Sequence, residues 1–168
     1  MFTLMENLLG LQPIALSSAV QNHPEGTVVR ALDPTLGGGE FIYLKGVVGT
    51  TTGMAVTYDP VNHTTTLVPT AADNKLAQPI AVAMSANVAN NWGWYQIGGC
   101  AVIKKTATKV LANVALYLSG TAGRLQSLSA HSGAQVLNCR TVNAASVLSA
   151  VSTITAVIDR PFLQGQAI

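Results

Sequence analysis

The sequence predicts an all-β protein: a compact antiparallel β-barrel or β-sandwich with an extended N-terminal arm and a short C-terminal tail. Short β-branched or alternating apolar runs, about nine of them, recur along the chain, each bounded by Gly, Pro, Asn or Asp. Charge is scarce, with nine Lys and Arg against seven Asp and Glu in 168 residues and none between Leu76 and Ile103. Ala, Gly, Val, Thr, Asn and Ser fill that space, a composition suited to a chain that pairs strands and touches neighbours over wide, weakly charged surfaces.

The elements follow in order. Residues 1–22 read as an arm. A short helix around Phe2, Met5, Leu8 and Leu9 is expected to stop at Gly10 and Pro13, and such a segment buries itself either on the domain's own flank or on a neighbouring subunit. Thr27 to Leu32 is a β-branched strand, broken by Asp33-Pro34 and by Gly37-Gly38-Gly39, read as a flexible turn. Glu40 to Val48 alternates with apolar residues on both faces, which predicts cover on both sides at its centre. Met54, Val56 and Tyr58 alternate, Asp59-Pro60-Val61-Asn62-His63 supplies hairpin-loop residues, and Thr64 to Val68 runs back.

Pro79 to Ser85 is the next strand and Asn87 to Gly93 a connection. Trp94 to Ile97 and Cys100 to Lys104 follow, with a bend or bulge at Gly98-Gly99. Ala112 to Ser119 and Leu125 to Leu128 form a hairpin around Gly120 to Gly123. Ala134 to Val142 and Ser152 to Asp159 are the last strands, with Ala144 to Val151 open between a short helix and a continuation. Pro161 ends regular structure. The β-domain thus spans residues 23–162 and the tail 163–168. The length supports one core with extensions, not two independent domains.

Composition also bounds function. A net charge of +2 is too small to imply a nucleic-acid or anionic-membrane partner. The uncharged stretch contains Gln78, Pro79, Ser85, Asn87, Asn90, Asn91 and Gln96, so no window stays apolar for the ~20 residues of a membrane helix. The apolar run from Met1 to Leu16 carries Glu6 and no leading Lys or Arg, unlike a secretory signal. A soluble, cytosol-made protein is expected. Cys100 and Cys139 have neither zinc nor CxxC spacing and read as two buried free thiols. Lys104, Lys105 and Lys109 read as a solvated strand end and turn.

No constellation carries chemistry. The Gly37–Gly39 run precedes a strand instead of opening a helix, and no Lys-Ser or Lys-Thr follows it. His23, His63 and His131 fall in separate loops, without the convergent carboxylates a metal site would want. Gly-x-Ser-x-Gly is missing, and no two carboxylates sit close in sequence. A non-enzyme without cofactors or metals is expected. The densest aromatic cluster, Trp92, Trp94 and Tyr95, is flanked by Asn90, Asn91 and Gln96. It could stack on a sugar, anchor an interface or close the core, with Tyr95 buried and Trp92 more exposed.

Two stretches, His23-Pro24-Glu25-Gly26-Thr27-Val28-Val29-Arg30-Ala31-Leu32-Asp33-Pro34 running on through Gly38 to Val47, and Trp92 to Ala101, together with Val157-Ile158-Asp159-Arg160-Pro161-Phe162, resemble the β-rich capsid decoration (cement) proteins of tailed bacteriophages. The resemblance covers His23 to Phe162. It implies a virion protein made in the host cytoplasm that sits on the outer surface of the capsid, often as a homotrimer, and clamps the major capsid protein. Multivalent engagement would supply the avidity.

The contact residues expected for capsid or sister subunits are Phe2, Leu4, Met5, Leu8, Leu9, Leu11 and Ile14 in the arm, Trp92 and Trp94 in the aromatic cluster, and Phe162 and Leu163 in the tail. Deleting Met1 to Pro13 should weaken capsid binding and leave the β-domain folded. The alternative function is a glycan-binding or adhesive module of a head fibre or tail, using Trp92, Trp94 and Tyr95.

Overall fold

The uncharged run becomes the spine of the molecule. In the computed structural model, which describes residues 3–4, 10–72, 76–86, 89–128 and 134–165, the described strands are β1 (Thr3–Leu4), β2 (Ser17–Ser18), β3 (Val28–Asp33), β4 (Gly37–Lys45), β5 (Ala55–Tyr58), β6 (Thr65–Leu67), β7 (Ile80–Ala83), β8 (Trp92–Lys104), β9 (Ala115–Leu118), β10 (Leu125–Gln126), β11 (Gln135–Thr141) and β12 (Thr153–Leu163). Every strand ladder is antiparallel, and the strands join one curled sheet in the order β1-β3-β4-β8-β12-β11-β9-β10, with β2, β5, β6 and β7 attached beside that path. The all-β expectation holds as a half-barrel.

Strand β8 organises the curl because it holds several partners in succession. Trp92 to Gly99 pairs with β4, Gln96 and Tyr95 with β7, Gly98 to Lys104 with β12, and Trp92-Gly93 with β2. A register shift between Glu40 and Phe41 sets Glu40 against Gly98 and Phe41 against Gln96, so Ile97 is the extra residue of a bulge. Bulges bend a strand and raise its twist. The bend at Gly98-Gly99 is thus a change of direction within one continuous strand.

The β4–β8 ladder is covered on both faces, as expected for its centre. On one face Val29, Ala31, Phe41, Tyr43 and Trp94 cluster with Ile14; on the other Ile42, Leu44, Tyr95 and Ile97 meet Val56, Ala81 and Ala83. A larger cluster joins the second half of β8 to β9, β11 and β12 through Ile103, Leu116, Leu118, Val136, Ile154 and Ile158. Each large ring of the first cluster withdraws roughly 150–250 Å² from water, so this face depends strongly on what seals it.

Several expectations need correction. Gly37–Gly39 is not the turn: it opens β4, and the turn is Pro34–Leu36, where Asp33 Oδ1 accepts from the amides of Thr35 (2.8 Å) and Leu36 (2.9 Å). An aspartate that satisfies amides two and three residues on makes its own turn. Pro161 does not end regular structure, since β12 runs to Leu163. The β11–β12 register jumps from Cys139↔Ile158 to Leu137↔Phe162, leaving Pro161 inside a bulge where no ladder N–H is needed. Arg160 (φ 45°) and Asn138 (φ 55°) take left-handed conformations there.

The segment 144–151 is neither helix nor strand. It is a loop tied down where Val110 and Val147 exchange amide-to-carbonyl bonds of 2.9 and 2.7 Å. The backbone of Thr3–Leu4 pairs with Ala31 and Leu32 of β3 as a strand, not a helix. The helix positions Phe2, Met5, Leu8 and Leu9, together with His131 and residues 166–168, lie outside the described residues.

The lysine cluster is also divided. Lys109 is exposed and Lys104 half-buried, but Lys105 is fully buried. Its Nζ donates to the carbonyls of Thr108 (2.8 Å), Thr106 (3.1 Å) and Ser149 (3.4 Å). Burial lowers its pKa.

Candidate functional site

The expected contact residues separate once they are placed. Ile14 and Trp94 are buried in one cluster, with Leu11 and Trp92 packed against it. Leu163 is fully buried in the large core, and Phe162 beside it is partly exposed. Ile14, Trp94 and Leu163 are therefore core residues. Leu11, Trp92 and Phe162 keep accessible surface.

The segment from Leu11 to Ser18 is part of the β-domain rather than an arm beside it, because Gln12 sits at its centre. The indole N–H of Trp94 donates to Gln12 O (2.9 Å), and the Gln12 amide N donates to His23 Nε2 (3.1 Å). Gln12 Nε2 donates to Leu16 O (2.7 Å) and Trp92 O (3.3 Å), while its Oε1 accepts from Tyr43 OH (3.1 Å) and Asn22 Nδ2 (2.8 Å). A buried amide with both ends paired fixes one arrangement, since any other would strand polar atoms. Around it His23 meets Tyr43 edge-on at 5.1 Å and Trp94 at 5.5 Å between ring centroids.

Of the aromatic cluster, Trp94 and Tyr95 are fully buried and Trp92 half-buried, as the core-closing reading expects. The Trp92 indole N–H donates to Glu25 Oε1 (2.7 Å), and Lys45 Nζ stands 5.3 Å over its ring. One face of one tryptophan is thus already occupied by a cation.

A further concavity lies elsewhere, on the open face of the sheet. Arg30, Glu40, Gly98 and Asp159 stand in register across β3, β4, β8 and β12. Glu40 takes Arg30 Nε and Nη2 on Oε1 (3.1 and 2.9 Å) and Arg160 Nη2 on Oε2 (3.1 Å). These side chains wall a trough of about 470 Å³ over Gly38, Gly39, Gly98 and Gly99. A neighbouring hollow of about 460 Å³, lined by Asn113, Gln135, Asn138 and Arg140, shares Val157, Ile158 and Asp159 with it.

Sequence reasoning did not find this site. Its walls run from Arg30 to Arg160, and the Glu40–Arg160 pair alone spans 120 residues of sequence. The available signal was Arg30 and Glu40 set symmetrically about the Pro34–Leu36 turn, which places opposite charges across a hairpin.

The remaining candidates carry little chemistry. Among the described residues no group of three His, Cys, Asp or Glu side chains could hold a metal. His63 packs against Gly26 and His23 belongs to the Gln12 network. Both cysteines are free; Cys139 is buried, with its thiol pKa pushed up to about 12 by desolvation, and Cys100 is half-buried. Among the described residues no helix is long and apolar enough to cross a membrane. No family model matches the chain, and no curated protein is significantly similar to it.

Proposed function

We propose that the protein is a non-enzymatic virion component that binds the outside of an assembled phage head as a homo-oligomer, in the manner of a trimeric decoration protein, and stabilises the capsid lattice. The observation that carries this reading is the apolar character of an otherwise weakly charged surface. Leu111 and Leu148 stand exposed on either side of the Val110–Val147 bridge, with Val151 close by in sequence, and Leu16 and Val20 are exposed at the end of the N-terminal segment. Such side chains tolerate the slightly different settings of a curved lattice, and several modest contacts made at once add avidity.

Quantitative mass spectrometry of gradient-purified particles tests it. A copy number stoichiometric with the major capsid protein supports a lattice-wide role. Trace copies would move the protein to a tail, fibre or vertex, and absence from particles would remove the reading. The glycan-binding alternative draws less support, because Trp94 and Tyr95 are buried and Lys45 covers one face of Trp92.

A further inference from the structure

We infer that the glycine-floored trough is a docking site for an extended peptide segment of a partner protein, rich in carboxylates but of mixed charge. The inference does not depend on the virion reading; within that reading the segment would belong to a shell subunit.

The arginine distribution is the first argument. Of the four arginines in the chain, Arg30, Arg140 and Arg160 line the two joined hollows, and only Arg124 turns elsewhere, to Lys105 O. Arg30 and Arg160 are held at one edge by Glu40 while their side chains stay 67% and 64% exposed. Glu40 thus restrains each guanidinium while most of its surface stays accessible. Guanidinium forks held that way lose little freedom on gripping a carboxylate.

Shape supplies the second argument. Gly38 and Gly98 place no side chain between the walls, so a ligand backbone can lie directly on the sheet there. From Arg30 on β3 to Arg140 on β11 the path crosses five strands, and at ~4.8 Å between strands that is about 19 Å, the length of roughly six extended residues.

Charge pattern selects the ligand class. Glu40 and the exposed Asp159 stand between the arginines, so a uniform polyanion such as a nucleic acid would meet repulsion within the path. A peptide can place carboxylates against Arg30, Arg160 and Arg140 and a cation against Asp159. No aromatic ring lines either hollow, which disfavours sugar stacking.

The test is an amide NMR titration of the full chain at low salt with a capped heptapeptide, Ala-Glu-Val-Glu-Lys-Glu-Val. Expected are shifts at Gly38, Gly39, Gly98 and Gly99, and an affinity about tenfold weaker in Arg30→Ala/Arg160→Ala. Arg140→Ala, which leaves the Glu40 clamp intact, should also weaken binding, so the proposal stays testable if the double variant folds poorly. Raising salt to about 300 mM should weaken the complex further. Shifts confined to other surfaces, affinity unchanged in Arg140→Ala, or tighter binding at the same glycines by oligothymidylate or polygalacturonate would overturn the inference.

Discussion

A Cβ on Gly99 would run into the carbonyl oxygen of Gly38, because β4 and β8 meet there backbone against backbone and Gly99 holds φ at 92°. Gly38 has open space where its own Cβ would be. Gly99→Ala should therefore cost about 3 kcal/mol or more, combining a left-handed alanine with a displaced strand, while Gly38→Ala should stay within about 0.5 kcal/mol. Urea unfolding of the two variants measures the difference. Equal costs would show that the crossing is not held by this contact.

That crossing marks the limit of what the sequence discloses. Alternation, β-branched runs and turn residues are local signals, so the Asp59–His63 hairpin, the 120–123 turn and the bulge near Gly98 were legible. Gly37–Gly39 misled because three glycines signal a turn locally, whereas here they open β4, and Gly38 and Gly39 line the trough where β8 approaches at Gly98 and Gly99. Pro161 misled for a similar reason: its missing N–H matters only if a ladder bond was due, and the bulge opposite Asn138 removes that need. Lys105 could not be placed either, since its carbonyl ligands include Ser149, 44 residues away.

Gln12 makes the N-terminal segment part of the fold, and truncation can show it. Removing residues 1–13 takes away the carbonyl that pairs with the Trp94 indole and opens the ring cluster, so stability should fall by about 3 kcal/mol or more. Gln12→Ala keeps that carbonyl but loses the side-chain bonds, and about 2 kcal/mol is expected. Thermal and urea unfolding compare them. Unchanged stability of the longer truncation would return residues 10–18 to the status of an arm.

The Asp59 carboxylate organises the β5–β6 loop, its Oδ1 accepting from the amides of Val61 (2.7 Å) and Asn62 (2.9 Å). The Asn62 bond first, and then that of Val61, hold its pKa below the ordinary 3.8. A lowered carboxylate pKa means that the loop's stabilisation is complete above 3.8 and is lost as pH falls through the lower folded value. Amide exchange at Val61 and Asn62 should rise in that acid window. Asp59→Asn, which keeps an oxygen acceptor, should remove the acid dependence, whereas Asp59→Ala should loosen the loop at every pH.

The cysteines should differ in reactivity. With its pKa near 12, Cys139 carries almost no thiolate at pH 8 and is buried besides, while Cys100 is half-buried opposite Val157 on the open face. A disulfide reagent should modify Cys100 first and reach Cys139 only at the rate of unfolding. Simultaneous modification of both in the folded protein would contradict the burial of Cys139.

Lys105 is the one fully buried cation among the described residues, and its ammonium joins the 106–108 turn to the 144–151 loop through three carbonyls. Lys105→Ala leaves those carbonyls and a cavity without a partner, so about 3 kcal/mol of destabilisation is expected. Lys105→Met keeps most of the volume and should cost less. The pH response separates charge from packing. Desolvation lowers the Lys105 pKa below its ordinary 10.5, so the charged form opposes folding at neutral pH, and that opposition lifts as pH rises from the folded value towards 10.5. Wild type should therefore gain stability relative to Lys105→Met across that alkaline window, because tyrosine titration is common to both. A difference independent of pH would mean that its three carbonyls fully replace water, so that folding leaves the affinity of the amine for its proton unchanged.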